Sequence, residues 1–248
     1  MVTAGASGIG QVITETFASA GARTYICDVD ADALDRFARE RPDVGAMVAD
    51  VSSPDAVDAL FDAAGAFLGG LDVLVNNAGI AGPTAPVENI TVEEWDQTIA
   101  VDLNGMFYCV RRAVPMLKVV GGGSIINLSS IGGRLGYPLR SPYSAAKWGV
   151  VGFTKSLSIE LGPAGIRVNA IQPGVVEGIR VERVIEARAR ERGISVEEAT
   201  AAFVAPISLR KMVSAQEIAD MALFLASPSG RSISGQALSV CGDHASLT

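Results

Sequence analysis

Short apolar runs alternate with helical patterns along this whole chain, and that alternation restricts its fold more than any other feature. Residues 23–27, 44–49, 71–75, 124–128, 166–171 and 236–240 read as strands bounded by turn-forming residues. Between them lie stretches with helix-start chemistry. Ser53 and Pro54 suit the N-cap and first position of a helix running to Leu68. Thr91-Val92-Glu93-Glu94 and Ser214-Ala215-Gln216-Glu217 are capping-box patterns. They open helices expected to reach about Lys118 and about Ala226. Strands joined through helices run parallel, and a parallel sheet needs cover on both faces. The expected fold is therefore α/β, a doubly wound parallel sheet of about seven strands with helices on both faces. Residues 1–3 would end the first strand; three is short against the usual ~5–6 and leaves room for a start upstream of Met1. At 248 residues, with 49% hydrophobic content and no repeat or linker, the chain reads as one domain over 1–248.

Several function classes are disfavoured at once. A formal net charge of −7 argues against a nucleic-acid partner. No apolar run approaches the ~18–20 residues of a membrane span, and no signal-peptide pattern opens the chain. No membrane partner and a cytoplasmic location are the expectations. Cys27, Cys109 and Cys241 are too few and too scattered for a metal cluster or a disulfide framework, so no metal site is expected. Cys27 falls in an apolar strand and reads as core. The single histidine, His244, lies in the C-terminal tail and reads as exposed, which disfavours Ser-His-Asp hydrolysis and His-based zinc chemistry.

The first strand runs into Ala4-Gly5-Ala6-Ser7-Gly8-Ile9-Gly10, followed by a helical pattern through Ala20. Glycines at a strand-to-helix turn let the backbone approach a pyrophosphate, and the helix start offers it N–H groups and a positive dipole end. The second strand ends in Asp28, about 20 residues after the glycines. A carboxylate there suits a ribose 2′-hydroxyl and repels a 2′-phosphate; the competing reading is a helix N-cap or turn residue. These features make the sheet Rossmann-like.

Tyr143-Ser144-Ala145-Ala146-Lys147 puts a phenol and an ammonium one helical turn apart on one face. A fixed positive charge favours phenolate, which makes the phenol a usable acid/base. So short a motif recurs by accident, and its weight comes from context. Upstream, the strand around Ser124-Ile125-Ile126-Asn127-Leu128 delivers Ser129 and Ser130 to its C-terminal end, the edge where open parallel sheets bind ligands. The helix carrying Tyr143 should start near Ser141-Pro142, a cap and a helix-first proline, and end at Gly162-Pro163.

Over essentially its whole length the chain resembles the short-chain dehydrogenase/reductase family. Ser130, Tyr143 and Lys147 fall on that family's catalytic serine, tyrosine and lysine. Its TGxxxGxG pattern is matched at Thr3, Gly8 and Gly10, but Ala4 holds the first glycine's place, with Gly5 next to it. Asn76-Asn77-Ala78-Gly79 matches the NNAG element. In Asp102-Leu103-Asn104-Gly105-Met106-Phe107, Asp102 takes the place of the asparagine of NLxGxF, a member of a water-linked proton relay in the family. The resemblance implies a cofactor site of Gly5, Ser7, Gly8, Ile9, Gly10, Asp28, Asp50, Val51, Asn77, Ala78, Gly79, Tyr143, Lys147, Pro173, Gly174 and Val176. Asp50 and Val51 would lie by the adenine and the segment after Pro173 by the nicotinamide. NADP-preferring relatives often carry Lys or Arg where Ser7 stands, so NAD is the implied cofactor. Gly178 replaces a common threonine, which would remove one hydroxyl contact.

The implied activity is interconversion of a secondary alcohol and a ketone by hydride transfer, with a small-molecule substrate and a homo-oligomer, tetramer or dimer. Residues 178–205 correspond to the family's substrate lid. Arg180, Arg183, Arg188, Arg190 and Arg192, against Glu182, Glu186 and Glu191, raise an anionic or polyhydroxylated substrate; a solvated, ion-paired helix is the favoured reading of the same residues. Two other classes stay open. One is a non-catalytic dinucleotide-binding regulator on the same fold. The other resembles a halohydrin lyase, which has arginine at the position of Lys147 and lacks a working cofactor loop.

Overall fold

The computed structural model describes residues 1–247, apart from the side chains of Ile179, Arg180 and Arg188. Its centre is a seven-stranded parallel sheet. The strands are β1 (Val2–Thr3), β2 (Tyr25–Asp28), β3 (Gly45–Val48), β4 (Val73–Asn76), β5 (Gly123–Leu128), β6 (Ile166–Pro173) and β7 (Ala237–Val240). Their spatial order is β3-β2-β1-β4-β5-β6-β7. The order reverses between β1 and β4, which opens the crevice where doubly wound sheets take their ligands. Val2 lies in register with Ile26 on one side and Val75 on the other, so the two-residue β1 is the hub of the sheet.

The helices are α1 (Gly8–Ser19), α2 (Ala31–Glu40), α3 (Pro54–Leu68), α4 (Val92–Ile99), α5 (Gly105–Val119), α6 (Ser141–Leu161), α7 (Ile179–Arg192), α8 (Val196–Val204) and α9 (Ala215–Ala226). Two core clusters sandwich the sheet. One includes Val57, Leu60 and Phe61 of α3, Val110 and Leu117 of α5 and Leu157 of α6. The other includes Ile13 and Phe17 of α1, Phe37 of α2 and Ile218 and Leu225 of α9. Together they bury both faces, as a parallel sheet requires.

Ser53 caps α3 through Ala56 N–H with Pro54 in the first turn, and both expected capping boxes are present, at Thr91/Glu94 and Ser214/Glu217. The helix expected from Thr91 to about Lys118 is interrupted. Residues 100–104 form a π-helical turn between α4 and α5, and Asp102 sits within it. Such a bulge inserts an extra residue and re-aims the side chains it carries. Ser141 is also not the cap of α6: it is the first helical residue, Arg140 stands at the cap position without a side-chain cap bond, and the Ser141 hydroxyl is buried without a partner among the described residues. The sixth strand runs two residues beyond its expected end, to Pro173. No helix among the described residues is long and apolar enough to cross a membrane.

Candidate active site

The turn after β1 is built on one side chain from the next strand over. Asn77 Nδ2 donates to the carbonyls of Thr3 and Ala4 at 3.1 and 3.0 Å. Thr3 Oγ1 accepts from the backbone N–H groups of Asn77 and Ala78 at 2.9 and 3.0 Å. Ala4 is held at φ 49°. The turn thus keeps a left-handed residue even though an alanine supplies it. A Cβ on Gly10 would lie 1.9 Å from the Ala4 carbonyl oxygen, so only glycine lets α1 start this close to β1. Gly5 is similarly tight, against Ile26, and its N–H donates to Cys27 O.

Gly8 (φ +55°) faces open space, and Ser7 at the cap of α1 makes no side-chain cap bond. No acidic residue stands in the first turn of α1. The uncapped N–H groups and the positive dipole end, with Ile9 in the first turn, are suited to a pyrophosphate. Asp28, almost fully buried at the end of β2, accepts from Ala6 N at 3.3 Å and from Asp30 N at 3.2 Å. It does not cap α2; Asp30 does, through Ala33 N–H. Asp50 accepts from Ser52 N–H and Oγ, and Val51 is buried against the backbone of Gly105. Pro173 ends β6, Gly174 N–H donates to Val240 O with no room for a side chain beside Cys241, and Val176 bridges to Val213. These elements fit a dinucleotide laid across the switch point.

At the same sheet edge, α6 presents Tyr143 and Lys147. Lys147 Nζ lies 5.6 Å from the centroid of the Tyr143 ring and donates to Leu128 O at 3.2 Å. The adjacent serines have different jobs. Ser129 Oγ donates to Lys147 O at 2.8 Å and fastens β5 to α6, whereas Ser130 Oγ accepts from Gly132 N at 3.0 Å, which leaves its own hydrogen free to donate. A Cβ on Gly132 would meet the Tyr143 ring at 3.2 Å and Ser130 Oγ at 3.5 Å, so Ser130 and Tyr143 flank one glycine.

The π-turn turns Asp102 out of its helix and into this cluster. Its Oδ1 accepts from Ile80 N at 2.7 Å, and its Oδ2 lies 3.4 Å from Lys147 Nζ. Gly79 passes beside the pair, where a Cβ would lie 3.1 Å from Nζ and 3.3 Å from Oδ1. Burial pushes the Asp102 carboxyl up; the ammonium of Lys147 is the largest opposing influence.

Sequence patterns alone do not single out Arg140. Its guanidinium carbon lies 5.1 Å from the Tyr143 centroid and 5.2 Å from that of Tyr137. It donates to Ala81 O at 2.6 Å and to Thr84 Oγ1 at 3.4 Å. Its three-residue offset from Tyr143 was the signal available. His244 is not the exposed tail residue expected: it is 4% exposed, paired with Ile207, and its carbonyl accepts from Arg134. All three cysteines are buried, and burial pushes Cys27 up to about 12. Arg183, Arg190 and Arg192 on α7 are exposed and, among the described residues, form no ion pair; Arg180 and Arg188 lie outside the described side chains.

A doubly wound sheet with an uncapped glycine turn at its switch point defines a dinucleotide-binding protein of the Rossmann class. A family model described as enoyl-(acyl carrier protein) reductase matches residues 3–242. The chain is 37% identical over 252 residues to cis-4-hydroxycyclohexanecarboxylate dehydrogenase of Sinomonas cyclohexanicum, covering 100% of this chain and 96% of that protein. Among solved structures it resembles an actinorhodin polyketide ketoreductase with NADPH (TM-score 0.90, 34% identity, 97% of this chain and 94% of that one). It also resembles a 3-ketoacyl-(acyl-carrier-protein) reductase from Brucella melitensis complexed with NADH (TM-score 0.86, 32% identity, 98% and 96%). The chain belongs to the short-chain dehydrogenase/reductase family, oxidoreductases that act on CH–OH groups.

Proposed function

We propose that this chain, acting as one domain over residues 1–248, is an NAD-dependent dehydrogenase or ketoreductase that interconverts a secondary alcohol and a ketone. The observation that carries the reading is the convergence of Tyr143, Lys147 and a free Ser130 hydroxyl around Gly132 and Gly79 at the sheet's C-terminal edge. Bound NAD would supply the hydride acceptor or donor. In oxidation Tyr143 takes the hydroxyl proton of the substrate; in reduction it returns one. The ammonium of Lys147 favours the phenolate, and Ser130 donates to the substrate oxygen where charge develops. Asp102 orients the ammonium and pins the chain after Gly79 through Ile80. The turn from Gly5 to Gly10 would take the pyrophosphate and Asp28 the adenosine ribose. Asp50 and Val51 would border the adenine, and Asn77, Ala78, Gly79, Pro173, Gly174 and Val176 would line the nicotinamide half.

α7 and α8 pack on each other through Ile185, Ala189 and Ala199, in a small cluster apart from the two main ones. A unit with its own small core opens at low cost, which supports a substrate lid over residues 178–205. Exposed Phe107 on α5 and Trp148 and Ile159 on α6 support a homo-oligomer built on these helices. The decisive experiment is Tyr143→Phe, which removes only the transferable proton. Turnover should fall at least ~100-fold while cofactor affinity stays near that of the parent. Turnover within tenfold of the parent would remove Tyr143 from the acid/base role.

A further inference from the structure

The charge around Tyr143 does not come from Lys147 alone. Asp102 is 0% exposed, and its Oδ2 sits 3.4 Å from the Lys147 ammonium. Seen from the phenol, a carboxylate that close to the ammonium cancels much of its field. A phenol beside such a pair is pulled toward ionisation less than one beside a free ammonium.

Arg140 stands on the same ring without that handicap. Its guanidinium lies 5.1 Å from the Tyr143 centroid, nearer than the 5.6 Å of Lys147 Nζ. Its hydrogen bonds go to neutral acceptors, Ala81 O and Thr84 Oγ1, and it forms no ion pair among the described residues. Nε is buried without a partner among the described residues. A guanidinium stays charged across the working range, so its field on the ring is constant, and a cation beside an aromatic ring favours the more negative phenolate.

We propose that Arg140 is a positioning residue that sets the ionisation of Tyr143, supplying the uncompensated positive charge that Lys147, paired to Asp102, does not. The inference rests on Tyr143 being the acid/base. The groups facing each member are few. The Tyr143 ring is faced by Lys147 on its own helix, by Arg140 at that helix's start and by Tyr137 of the preceding loop. Asp102 is faced by Lys147, by the Ile80 N–H from the chain after β4, and by the charge of Arg140. Both Lys147 and Arg140 hold the Asp102 carboxyl down against its burial, so the carboxylate and the two cations form one coupled set with an excess of positive charge.

The test is a direct titration of Tyr143. Tyrosinate absorbance is followed against pH in the parent, Arg140→Met, Asp102→Asn and the double variant, each minus its Tyr143→Phe counterpart. Arg140→Met should raise the Tyr143 midpoint and Asp102→Asn should lower it, each shift reflecting one nearby charge lost. The double variant should return close to the parent, a reciprocal rescue that a purely structural role for Arg140 would not produce. The acidic limb of kcat/KM for alcohol oxidation, where the phenol must lose its proton, should move with the midpoint. Circular dichroism checks the fold; where Arg140→Met does not fold, Arg140→Gln keeps a donor for Ala81 O and carries the same expectation. An unmoved midpoint in the folded Arg140 variant overturns the proposal. Because absorbance needs no turnover, that outcome is separate from an active Tyr143→Phe, which would instead remove the catalytic reading.

Discussion

Asn77 donates its side-chain amide to the carbonyl of Ala4 at 3.0 Å while Ala4 is held at φ 49°. The bond crosses from the end of β4 to the end of β1 and fixes the turn on which α1 begins. It also explains how an alanine occupies a position where a glycine would be unstrained. A left-handed residue with a Cβ costs roughly 1–2 kcal/mol, and the neighbouring strand holds it there.

Ala4→Gly should therefore stabilise the protein, since relief of strain exceeds the ~0.5–1 kcal/mol entropic cost of a new glycine. The expected net gain is up to about 1 kcal/mol, read from the urea midpoint at constant slope. Asn77→Ala should do the reverse and weaken cofactor affinity as well, because two carbonyls lose their donor and the turn loses its brace. A lower midpoint in Ala4→Gly would mean that the alanine is unstrained.

Coenzyme choice should follow Asp28. A 2′-phosphate placed at this carboxylate would meet like charge in a nearly closed site, so kcat/KM should favour NAD over NADP. Asp28→Ser should narrow the ratio by at least tenfold. The same change weakens the acceptor for Ala6 N–H, so a modest drop in stability should accompany it. A parent that prefers NADP would refute the assignment.

Much of this was legible in residue patterns. The strand–helix alternation, the two capping boxes and Ser53-Pro54 are local signals, and local chemistry decides those elements. Tyr143, Lys147 and Ser130 were legible because a helix period and a strand end place them. The interruption of the helix after Thr91 was not: residues 100–104 contain no glycine or proline, Gly105 follows with ordinary helical angles, and the π-turn goes with what Asp102 reaches across the cleft, Ile80 and Lys147. The partner of Arg140 was hidden for the same reason, since Ala81 and Thr84 come from another loop. His244 looked exposed because tails usually are; its burial depends on Ile207 and Arg134, far away in sequence.

The oligomer proposal gives a prediction about α6. Trp148 and Ile159 are eleven residues apart, three helical turns, and both are exposed, at 49% and 80%. Trp148→Glu should shift the sedimentation profile toward smaller species with the circular dichroism spectrum unchanged. A parent that sediments as a monomer at micromolar concentration ends the proposal.

The last prediction concerns acid stability through His244. Burial pushes its imidazole down from the usual value near 6.5, and the Arg134 guanidinium adds to that, with Asp243 opposing. In the unfolded chain the ring titrates near ~6.5. Between the two values the unfolded state binds more protons than the folded one, so stability rises with pH through that window. The contribution is complete above ~6.5 and is lost as pH falls through the depressed folded value. Protonation would place a cation in a closed site where Nδ1 has no partner among the described residues, beside Arg134, whose guanidinium already donates to the His244 carbonyl. The unfolding temperature of the parent should drop more steeply from pH 7.5 to 5 than that of His244→Gln, whose side chain does not titrate. The tail should be the first part to loosen, seen as faster amide exchange at Ala245, whose N–H donates to Pro206 O. Parallel curves for the two proteins would show that His244 takes up its proton equally in both states.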